Sequence, residues 1–345
     1  MSLPLTALLQ DPPLRHVLGT FPSPVLLLPE VARQIGAASL SIKREDLNGT
    51  TFGGNKLRAL EWLLPTAGHS IISLGGYGST WCAALATAAK ATGRETHLAL
   101  FPQPWSPTVA GALSTTLASG EVHLASTPRR FPLAIARAWF AARAIGAPTT
   151  FGPGGAEPLG VLGAVNAALE LARQVEAGEL PSPDAIVVPL GSGGTAAGLL
   201  LGCQIARLSV TICAVRVASP FIASERRVLT LAARTSRLLH RHGLDLPAID
   251  SRLVVIKHQL GAGYGHPTVG AIAARALLAR EGLSADVTYT AKAAAALGDL
   301  AGSFPHLCFW HTFDPRLAPP PVVEHSLLRQ ARTNAESLWP LPKLT

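Results

Sequence analysis

The chain has 345 residues, of which 48% are hydrophobic and only 14% are charged, with a mean hydropathy of +0.31. This balance excludes a disordered chain, and the length suits two lobes better than a single core. The formal charge of +8 comes from scattered basic residues without interleaved aromatics, so we expect no nucleic-acid partner. No apolar run is long enough to span a membrane and no signal-peptide pattern opens the chain. We therefore expect a cytoplasmic protein with no membrane partner.

Strand and helix patterns alternate from residue 56 to residue 145. Before them, an apolar run at residues 24–29 fits an N-terminal arm. Leucines at helical spacing predict a helix over residues 56–66. The next predicted strands cover residues 70–74, 97–101 and 121–125, and the next predicted helices cover residues 80–92, 108–119 and 132–145. Short glycine or proline breaks separate these elements, which is typical of a parallel sheet with helices on both faces.

A second alternation follows a glycine cluster at residues 152–155. Its predicted helices cover residues 158–177, 195–207, 221–239 and 267–281, and its predicted strands cover residues 185–190, 210–217, 253–258 and 306–312. Together the two sets predict an α/β protein with two open parallel-sheet lobes, each a three-layer αβα arrangement, and a site in the cleft between them. We place a small domain at residues 54–164 and a large domain at residues 1–53 plus 165–345. The tail from residue 317 onward is predicted to be a surface extension.

The first stretch with chemical character lies between residues 41 and 61. A charged run at residues 43–46 leads into a flexible turn over residues 49–54, and Asn55 and Lys56 then begin a helix. A lysine that closely follows two glycines at a helix start lies where a ligand can approach the backbone and where the pKa of the amine can fall, as a Schiff-base lysine requires. The same pattern also fits a solvated lysine, and the charged run fits a solvated or salt-bridged loop.

A second glycine-rich stretch, GSGGTAAG at residues 191–198, follows a predicted strand and opens a predicted helix. Its backbone N–H groups and the helix N-terminus could bind one phosphate group. The spacing is neither that of a dinucleotide-binding loop nor that of a Walker loop. A tight turn whose glycines only permit close packing is the alternative.

Six stretches, in this order, carry a resemblance to a known family: IKREDLNGTTFGGNKLRALEWL (42–63), GGYGSTWCAALATAAKATG (75–93), GPGGAEPLGVLGAVNAALEL (152–171), GSGGTAAGLLLG (191–202), GAGYGHPT (261–268) and DVTYTAK (286–292). Over roughly residues 40–312 the chain resembles the pyridoxal-phosphate (PLP) enzymes of fold type II. Within them it is most similar to the group of D-cysteine desulfhydrase and 1-aminocyclopropane-1-carboxylate (ACC) deaminase. The resemblance implies a small amino-acid substrate and a homodimer.

The resemblance also implies site residues. Lys56 would bind PLP covalently and later carry the substrate proton. The cofactor phosphate would be held, with Asn55 nearby, by Gly191, Ser192, Gly193, Gly194 and Thr195. Ser79 falls where the family places a serine that contacts substrate and shuttles protons. Tyr264 and Tyr289 fall on the two tyrosines that flank the substrate; two half-buried structural tyrosines are the alternative.

Departures from the family pattern concern the substrate and the cofactor ring. Residues 78–81 read Gly-Ser-Thr-Trp where the family commonly has Gln-Ser-Asn-His, so Thr80 would replace an asparagine that contacts the cofactor's 3′ oxygen. Thr290 stands where the deaminases have a glutamate against the pyridine nitrogen, and Thr312 is a second hydroxyl candidate for the same contact. Because a hydroxyl cannot stabilise a pyridinium as a carboxylate does, a neutral ring is expected.

These features favour a PLP-dependent lyase that removes Cα–H from a small amino acid and eliminates a β-substituent such as a thiol, giving ammonia and a 2-oxo acid. Ring-opening deamination is disfavoured. A racemase, a β-replacement enzyme and a non-catalytic PLP-binding relative stay open as alternatives. The four cysteines are widely spaced in apolar segments, which predicts buried free thiols, and no His or Cys pattern predicts a metal site.

Overall fold

The computed structural model describes residues 15–49, 54–244, 246, 248–249, 252–317 and 325–340. Most of the predicted turn over residues 49–54, and the proline run at residues 319–321, lie outside this part. The described strands are β1 (Val25–Leu27), β2 (Ser39–Arg44), β3 (Ser70–Gly76), β4 (Glu95–Phe101), β5 (Glu121–Leu124), β6 (Thr149–Thr150), β7 (Ala185–Leu190), β8 (Thr211–Arg216), β9 (Leu253–Ile256) and β10 (His306–His311).

The described α-helices are α1 (Pro29–Ile35), α2 (Lys56–Leu63), α3 (Thr80–Ala91), α4 (Pro107–Ser119), α5 (Phe131–Ile145), α6 (Pro158–Glu176), α7 (Gly194–Ile205), α8 (Glu225–Arg241), α9 (Val269–Arg280), α10 (Thr290–Ala294), α11 (Leu297–Ala301) and α12 (Ser326–Leu338). Short 3-10 turns follow β2 and α2. Within the described residues, no helix combines the length and the apolar character that crossing a membrane requires.

The chain divides into two compact units, and the first contains the described parts of Met1–Pro65 and Gly155–Pro315. Its six-stranded sheet has the order β1-β2-β10-β7-β8-β9, and only the edge strand β1 is antiparallel. Along β7, Ile186, Val188 and Leu190 pack beneath α6, α7 and α8. Ala185 and Val187 point to the other face, which α1, α9, α10 and α11 cover. Because both faces are buried, β7 is continuously apolar (AIVVPL), as expected for a parallel strand between two helical layers.

The second unit contains Thr66–Gly154 and the described part of Arg316–Thr345. Its parallel sheet has the order β5-β4-β3-β6. Alanines 134, 138 and 142 form one stripe of α5 that packs on Ile72 and Ala99. On the opposite face the indole N–H of Trp81, in α3, donates to Ser73 Oγ at 2.9 Å. The prediction of an α/β protein built on two parallel sheets is therefore confirmed.

The division between the units follows from how closely α2 and α6 pack. A Cβ added to Gly163 of α6 would lie 2.1 Å from the carbonyl oxygen of Arg58 in α2, so this position needs glycine. The contact draws α2 and the whole of α6 into the first unit. The predicted boundaries, after residues 53 and 164, instead cut before α2 and through α6. They also assign the tail to the large domain, whereas Arg316–Thr345 groups with the second unit.

One local prediction needs correction, and the structure decides between two alternatives at another place. The tail beyond residue 317 is not only a surface extension, because α12 buries Leu328, Ala331 and Ala335 on one helical face. The charged run at residues 43–46 is not solvated: Lys43, Glu45 and Asp46 are fully buried in ion pairs, which supports the salt-bridged alternative. The four cysteines are buried free thiols, as predicted.

Candidate active site

Lys56 is the first residue of α2, and the backbone before it is fastened to the end of β10. The Asn55 N–H donates to the carbonyl oxygen of Thr312 at 3.1 Å. Gly54 adopts a left-handed conformation with φ +96°, and a Cβ there would lie 2.7 Å from the same oxygen. Glycine is therefore required at residue 54, and the contact sets Lys56 beside the carboxyl end of a central strand.

The electrostatic environment of Lys56 favours the neutral amine. Burial lowers its pKa from 10.5 to about 8, and the carboxylate of Asp286 opposes part of that shift. No hydrogen bond or ion pair joins Nζ to another residue in the part of the chain that the structure describes. A side-chain amine in this state is a stronger nucleophile at neutral pH than an ordinary lysine, as Schiff-base formation requires.

The glycine loop after β7 has the form of an anion site. Gly193 is the N-cap residue of α7 with φ +93°, and no side chain caps this helix end. The first N–H groups of the 12-residue helix are therefore left for a ligand. The side chain of Arg227 donates to the Ser192 carbonyl oxygen at 2.9 Å and fixes the loop. Asn55 Nδ2 donates to Thr195 Oγ1 at 2.9 Å, which joins this loop to the start of α2.

Tyr264 and Tyr289 lie together in the first unit. Their hydroxyl groups share a hydrogen bond, and their rings meet edge to face with centroids 5.7 Å apart. The ring of Tyr289 also approaches the glycine loop, since a Cβ on Gly191 would lie 3.8 Å from its Cε1 atom. Tyr289 therefore lies against the predicted phosphate loop, and Tyr264 lies against Tyr289.

Two buried charged residues that the sequence predictions missed hold these tyrosines. The Asp286 carboxylate accepts hydrogen bonds from the N–H groups of Thr288, Tyr289 and Thr290 at 3.0, 2.7 and 3.1 Å. Nζ of Lys292 donates to the carbonyl oxygens of Leu260 and Gly263, at 2.8 and 3.0 Å, and so fastens the loop that carries Tyr264. Burial lowers the pKa of Lys292 to about 8, although Asp286 opposes the shift. The available signal was two charges in the small, otherwise uncharged stretch DVTYTAK.

Thr290 and Thr312 form a buried hydroxyl pair at the end of β10. Their Oγ1 atoms lie 3.2 Å apart, and Thr290 Oγ1 is also 3.5 Å from the carbonyl oxygen of Phe313. The two candidates for a contact with the pyridine nitrogen are thus neighbours. Both lie close to the backbone that precedes Lys56, through the bond from Asn55 to Thr312.

Ser79 and Thr80 belong to the second unit, where Ser79 is the N-cap of α3. Its Oγ accepts a hydrogen bond from the Cys82 N–H at 3.2 Å. Thr80 is buried as the first residue of α3. Trp81, which replaces a family histidine, is a core residue of this unit. The predicted catalytic role of Ser79 and the cofactor contact of Thr80 stay predictions.

The residues of the first unit fit pyridoxal phosphate. The cofactor needs an amine for its aldehyde, an anion site for its phosphate and a partner for its ring nitrogen. Lys56 supplies an amine of lowered pKa, the uncapped start of α7 supplies the anion site, and the pair of threonines supplies hydroxyl groups. Asn55 joins these groups, because its side chain contacts Thr195 of the glycine loop and its backbone N–H contacts Thr312.

Comparisons with known proteins agree with this fit. A model of the pyridoxal-phosphate dependent enzyme family matches residues 17–307. A relative from Pyrococcus abyssi, provisionally named a 1-aminocyclopropane-1-carboxylate deaminase, is 32% identical over 296 residues, which is 83% of this chain and 86% of the relative. The enzyme of that name from Burkholderia multivorans is 30% identical, over 81% of this chain and 86% of its own length.

A solved structure described as an ACC deaminase homologue is similar along almost the whole chain. It is 30% identical in sequence, covers 91% of this chain and 95% of its own, and superposes with a TM-score of 0.77. The sequence resemblance is therefore confirmed by matched residues and by matched fold. This chain belongs to the pyridoxal-phosphate-dependent enzyme family.

Proposed function

We propose that this enzyme is a lyase that removes Cα–H from a small amino acid and expels a β-substituent such as a thiol, releasing a 2-oxo acid and ammonia. The observation that carries the proposal is the buried hydroxyl pair of Thr290 and Thr312, next to the backbone that positions Lys56. By the family resemblance, this pair contacts the ring nitrogen of the cofactor. The proposed site residues are those named from the sequence.

Lys56 binds the cofactor and handles the substrate proton. Pyridoxal phosphate, when bound, supplies an electron sink for the negative charge that develops at Cα. With a pKa of about 8, the amine of Lys56 can accept a proton from Cα and return it near neutral pH. The Asn55 contact with Thr195 keeps this amine in register with the phosphate loop.

The tyrosine pair orients the substrate and supplies a proton to the leaving group. Because the hydroxyl groups of Tyr264 and Tyr289 share one hydrogen bond, either oxygen can donate while the other accepts. Asp286 accepts a hydrogen bond from the Tyr289 backbone N–H, and Lys292 donates to two carbonyl oxygens of the loop that carries Tyr264. Ser79 is proposed as a further substrate contact.

The hydroxyl at residue 290 favours elimination over ring opening. A carboxylate beside the pyridine nitrogen would keep it protonated, whereas a hydroxyl group does not stabilise that charge. A neutral ring is the weaker electron sink. Expulsion of a good leaving group from Cβ makes less demand on the sink than cleavage of a cyclopropane carbon–carbon bond does.

The test is a comparison of products from the purified holoenzyme. D-cysteine, L-cysteine and ACC are supplied separately, and 2-oxo acid, ammonia and sulfide are measured. We expect pyruvate and sulfide from one cysteine enantiomer, with a kcat/KM at least about 100-fold above that for ACC, which corresponds to about 2.7 kcal/mol of transition-state discrimination. The same reactions in deuterated water report exchange at Cα.

Ring-opening deamination of ACC is the second candidate, because the named relatives carry that activity in their names. Formation of 2-oxobutyrate from ACC at a kcat/KM equal to or above that for cysteine would establish it and contradict elimination. Deuterium incorporation at Cα without any 2-oxo acid would instead indicate a racemase. No turnover of any amino acid would indicate a non-catalytic relative.

A further inference from the structure

A cluster of two histidines and one glutamate lies in the second unit. His97 is in β4, and Glu121 and His123 are in β5. His97 Nδ1 is 3.2 Å from one carboxylate oxygen of Glu121, and His123 Nε2 is 3.3 Å from the other. One ligand atom from each residue lies within 4.8 Å of the other two. Among the described residues, no other group of three His, Cys, Asp or Glu side chains comes this close together.

The sheet register explains why these three side chains meet. β4 and β5 are parallel neighbours, and His97 pairs directly with Glu121, so their side chains share a face of the sheet. Glu121 and His123 are two residues apart on one strand and therefore share the same face. That face is the one beneath α5, because His123 pairs with Ala99, which packs on α5.

The buried nitrogen atoms of this cluster have no hydrogen-bond partner in the described part of the chain. His97 is 1% exposed, yet neither of its ring nitrogens makes a hydrogen bond, and Nε2 of His123 makes none either. The Glu121 oxygens lie at suitable distances but not in hydrogen-bonding geometry. A buried polar atom without a partner destabilises the folded protein, so its presence points to a ligand that pairs with it.

We propose that His97, Glu121 and His123 bind a divalent transition-metal ion, with zinc as the fitting choice. Two imidazole nitrogens and one carboxylate oxygen are a common zinc ligand set. One nitrogen of each histidine faces a different carboxylate oxygen of Glu121, at 3.2 and 3.3 Å, and one ligand atom from each of the three residues lies within 4.8 Å of the other two. The partly exposed Glu121 leaves the fourth position to water.

The ion would act as a cross-link between β4 and β5 and not as part of the PLP chemistry. The cluster lies at the amino-terminal end of the sheet, since Glu121 is the first residue of β5. Ser79, by contrast, follows the carboxyl end of β3. Arg137 of α5 lies near enough to His123 to repel positive charge, which limits the affinity. Binding to the folded state alone stabilises that state.

The test uses tag-free holoenzyme freed of metal with a chelator and then dialysed against a limiting concentration of Zn²⁺ or Co²⁺. Bound metal is counted by mass spectrometry, and the geometry is taken from the visible d–d absorption of the Co²⁺ form. The variants are Glu121→Gln, which changes an exposed side chain isosterically, and His123→Gln. The matched control is His69→Gln, because His69 pairs with Glu95 at 3.4 Å on the surface of the same sheet.

We expect one metal ion per chain in the wild type and in His69→Gln, tetrahedral Co²⁺ absorption, and a higher melting temperature with Zn²⁺ than with chelator. Both cluster variants should lose at least about 10-fold in metal affinity and lose the thermal shift. Circular dichroism and PLP content show whether each variant is folded. If His123→Gln does not fold, the Glu121→Gln variant alone decides the test. The proposal is overturned by the absence of stoichiometric metal, by binding that persists in Glu121→Gln, by binding lost in His69→Gln, or by a thiolate charge-transfer band.

Discussion

Lys56 and Lys292 of the first unit both have a pKa lowered to about 8, but their amines differ in their hydrogen bonds. Lys56 makes no hydrogen bond within the described residues, whereas the amine of Lys292 donates to two backbone carbonyls. Burial is the main cause of the lower pKa in both cases, and the charge of Asp286 opposes it in both. The same physical shift therefore serves a proposed nucleophile at one residue and a structural anchor at the other.

The titration of Lys292 predicts a pH-dependent stability. Because its pKa falls from 10.5 to about 8 on folding, the unfolded chain holds the extra proton between these two values. The cost of burying the charge is complete below pH 8, and it is relieved as the pH rises from 8 toward 10.5. As the pH rises through this range, the free energy of unfolding of the wild type should therefore increase relative to that of Lys292→Met by at most about 3 kcal/mol.

Thermal unfolding of both holoenzymes between pH 7 and pH 10.5 measures that gain. Lys257→Met, which changes an exposed lysine of the same unit, should keep the pH dependence of the wild type. A constant difference between wild type and Lys292→Met across this range would show that Lys292 does not titrate. The Lys292→Met enzyme should also lose turnover, because its Tyr264 loop is no longer fastened.

Sequence could predict single residues where the local pattern itself carries the chemistry. Lys56 follows two glycines at a helix start, and Thr195 lies in a glycine loop after a strand, so the sequence alone could name both as candidate site residues. Asp286 and Lys292 were not, because their partners are backbone groups that only the fold brings close. His97 and Glu121 depend on strand register, which residue spacing does not contain.

At the level of elements, the proposed phosphate site depends on the turn from β7 into α7. Gly193 adopts a left-handed conformation at the N-cap of α7, and no side chain caps the first N–H groups of this helix. The helix is otherwise apolar along most of its length, and its burial against α6 fixes the direction of those groups.

Gly193→Ala should weaken the binding of pyridoxal phosphate, because an alanine at φ +93° strains the turn by about 1–2 kcal/mol. The matched control is Gly178→Ala, since Gly178 has φ +74° at an open position where an added Cβ meets nothing within 4 Å. Both variants should lose similar thermal stability, but only Gly193→Ala should raise the dissociation constant for the cofactor, measured by fluorescence titration. Equal cofactor affinity in the two variants would show that this turn does not bind the cofactor.

Element prediction worked where periodicity was strong and failed where burial was decided by partners far along the chain. The long helices and the strands β3–β5 and β7–β10 were predicted with ends within a few residues of those observed, whereas β1 and β2 were not predicted as strands. α12 was missed although its apolar residues recur at helical spacing, because the preceding prolines suggested an extension. Trp81 stands where the family commonly has a histidine, and its bond to Ser73 places it in the core of the second unit.

The first unit as a whole is stabilised by a buried ion network between β2, α2 and α6. Arg58 donates to both oxygens of Glu45, at 2.6 and 2.7 Å, and to Glu170 at 3.1 Å. Lys43 donates to Glu170 and Gln174, each at 2.5 Å. These charges have left water, so their stability depends on complete pairing.

Glu45→Gln should destabilise the protein by about 3 kcal/mol, because it leaves the buried Arg58 with an incomplete partner. Glu30→Gln, which breaks an exposed pair with Arg33, should change stability by less than about 0.5 kcal/mol. Urea unfolding of the two variants at pH 7 makes the comparison. Equal effects would show that the network contributes no more than a surface pair.

The effect of Glu45→Gln should also depend on pH. Burial raises the pKa of Glu45, but the charge and hydrogen bonds of Arg58 outweigh this, so the pKa falls below its ordinary value of 4.5. The contribution of the carboxylate is therefore complete above pH 4.5 and is lost as the pH falls below that value. The difference between the wild type and the variant should shrink in acid, and a difference that grows would contradict the sign.

The proposed site depends on Lys56 as the residue that binds the cofactor, and reduction with borohydride tests this role. The visible absorption of the purified holoenzyme is recorded before and after reduction, and the modified peptide is then identified by mass spectrometry. We expect a Schiff-base band that disappears on reduction and a phosphopyridoxyl group on Lys56. A label on Lys292, or a colourless protein that pyridoxal phosphate does not reconstitute, would show that Lys56 does not bind the cofactor.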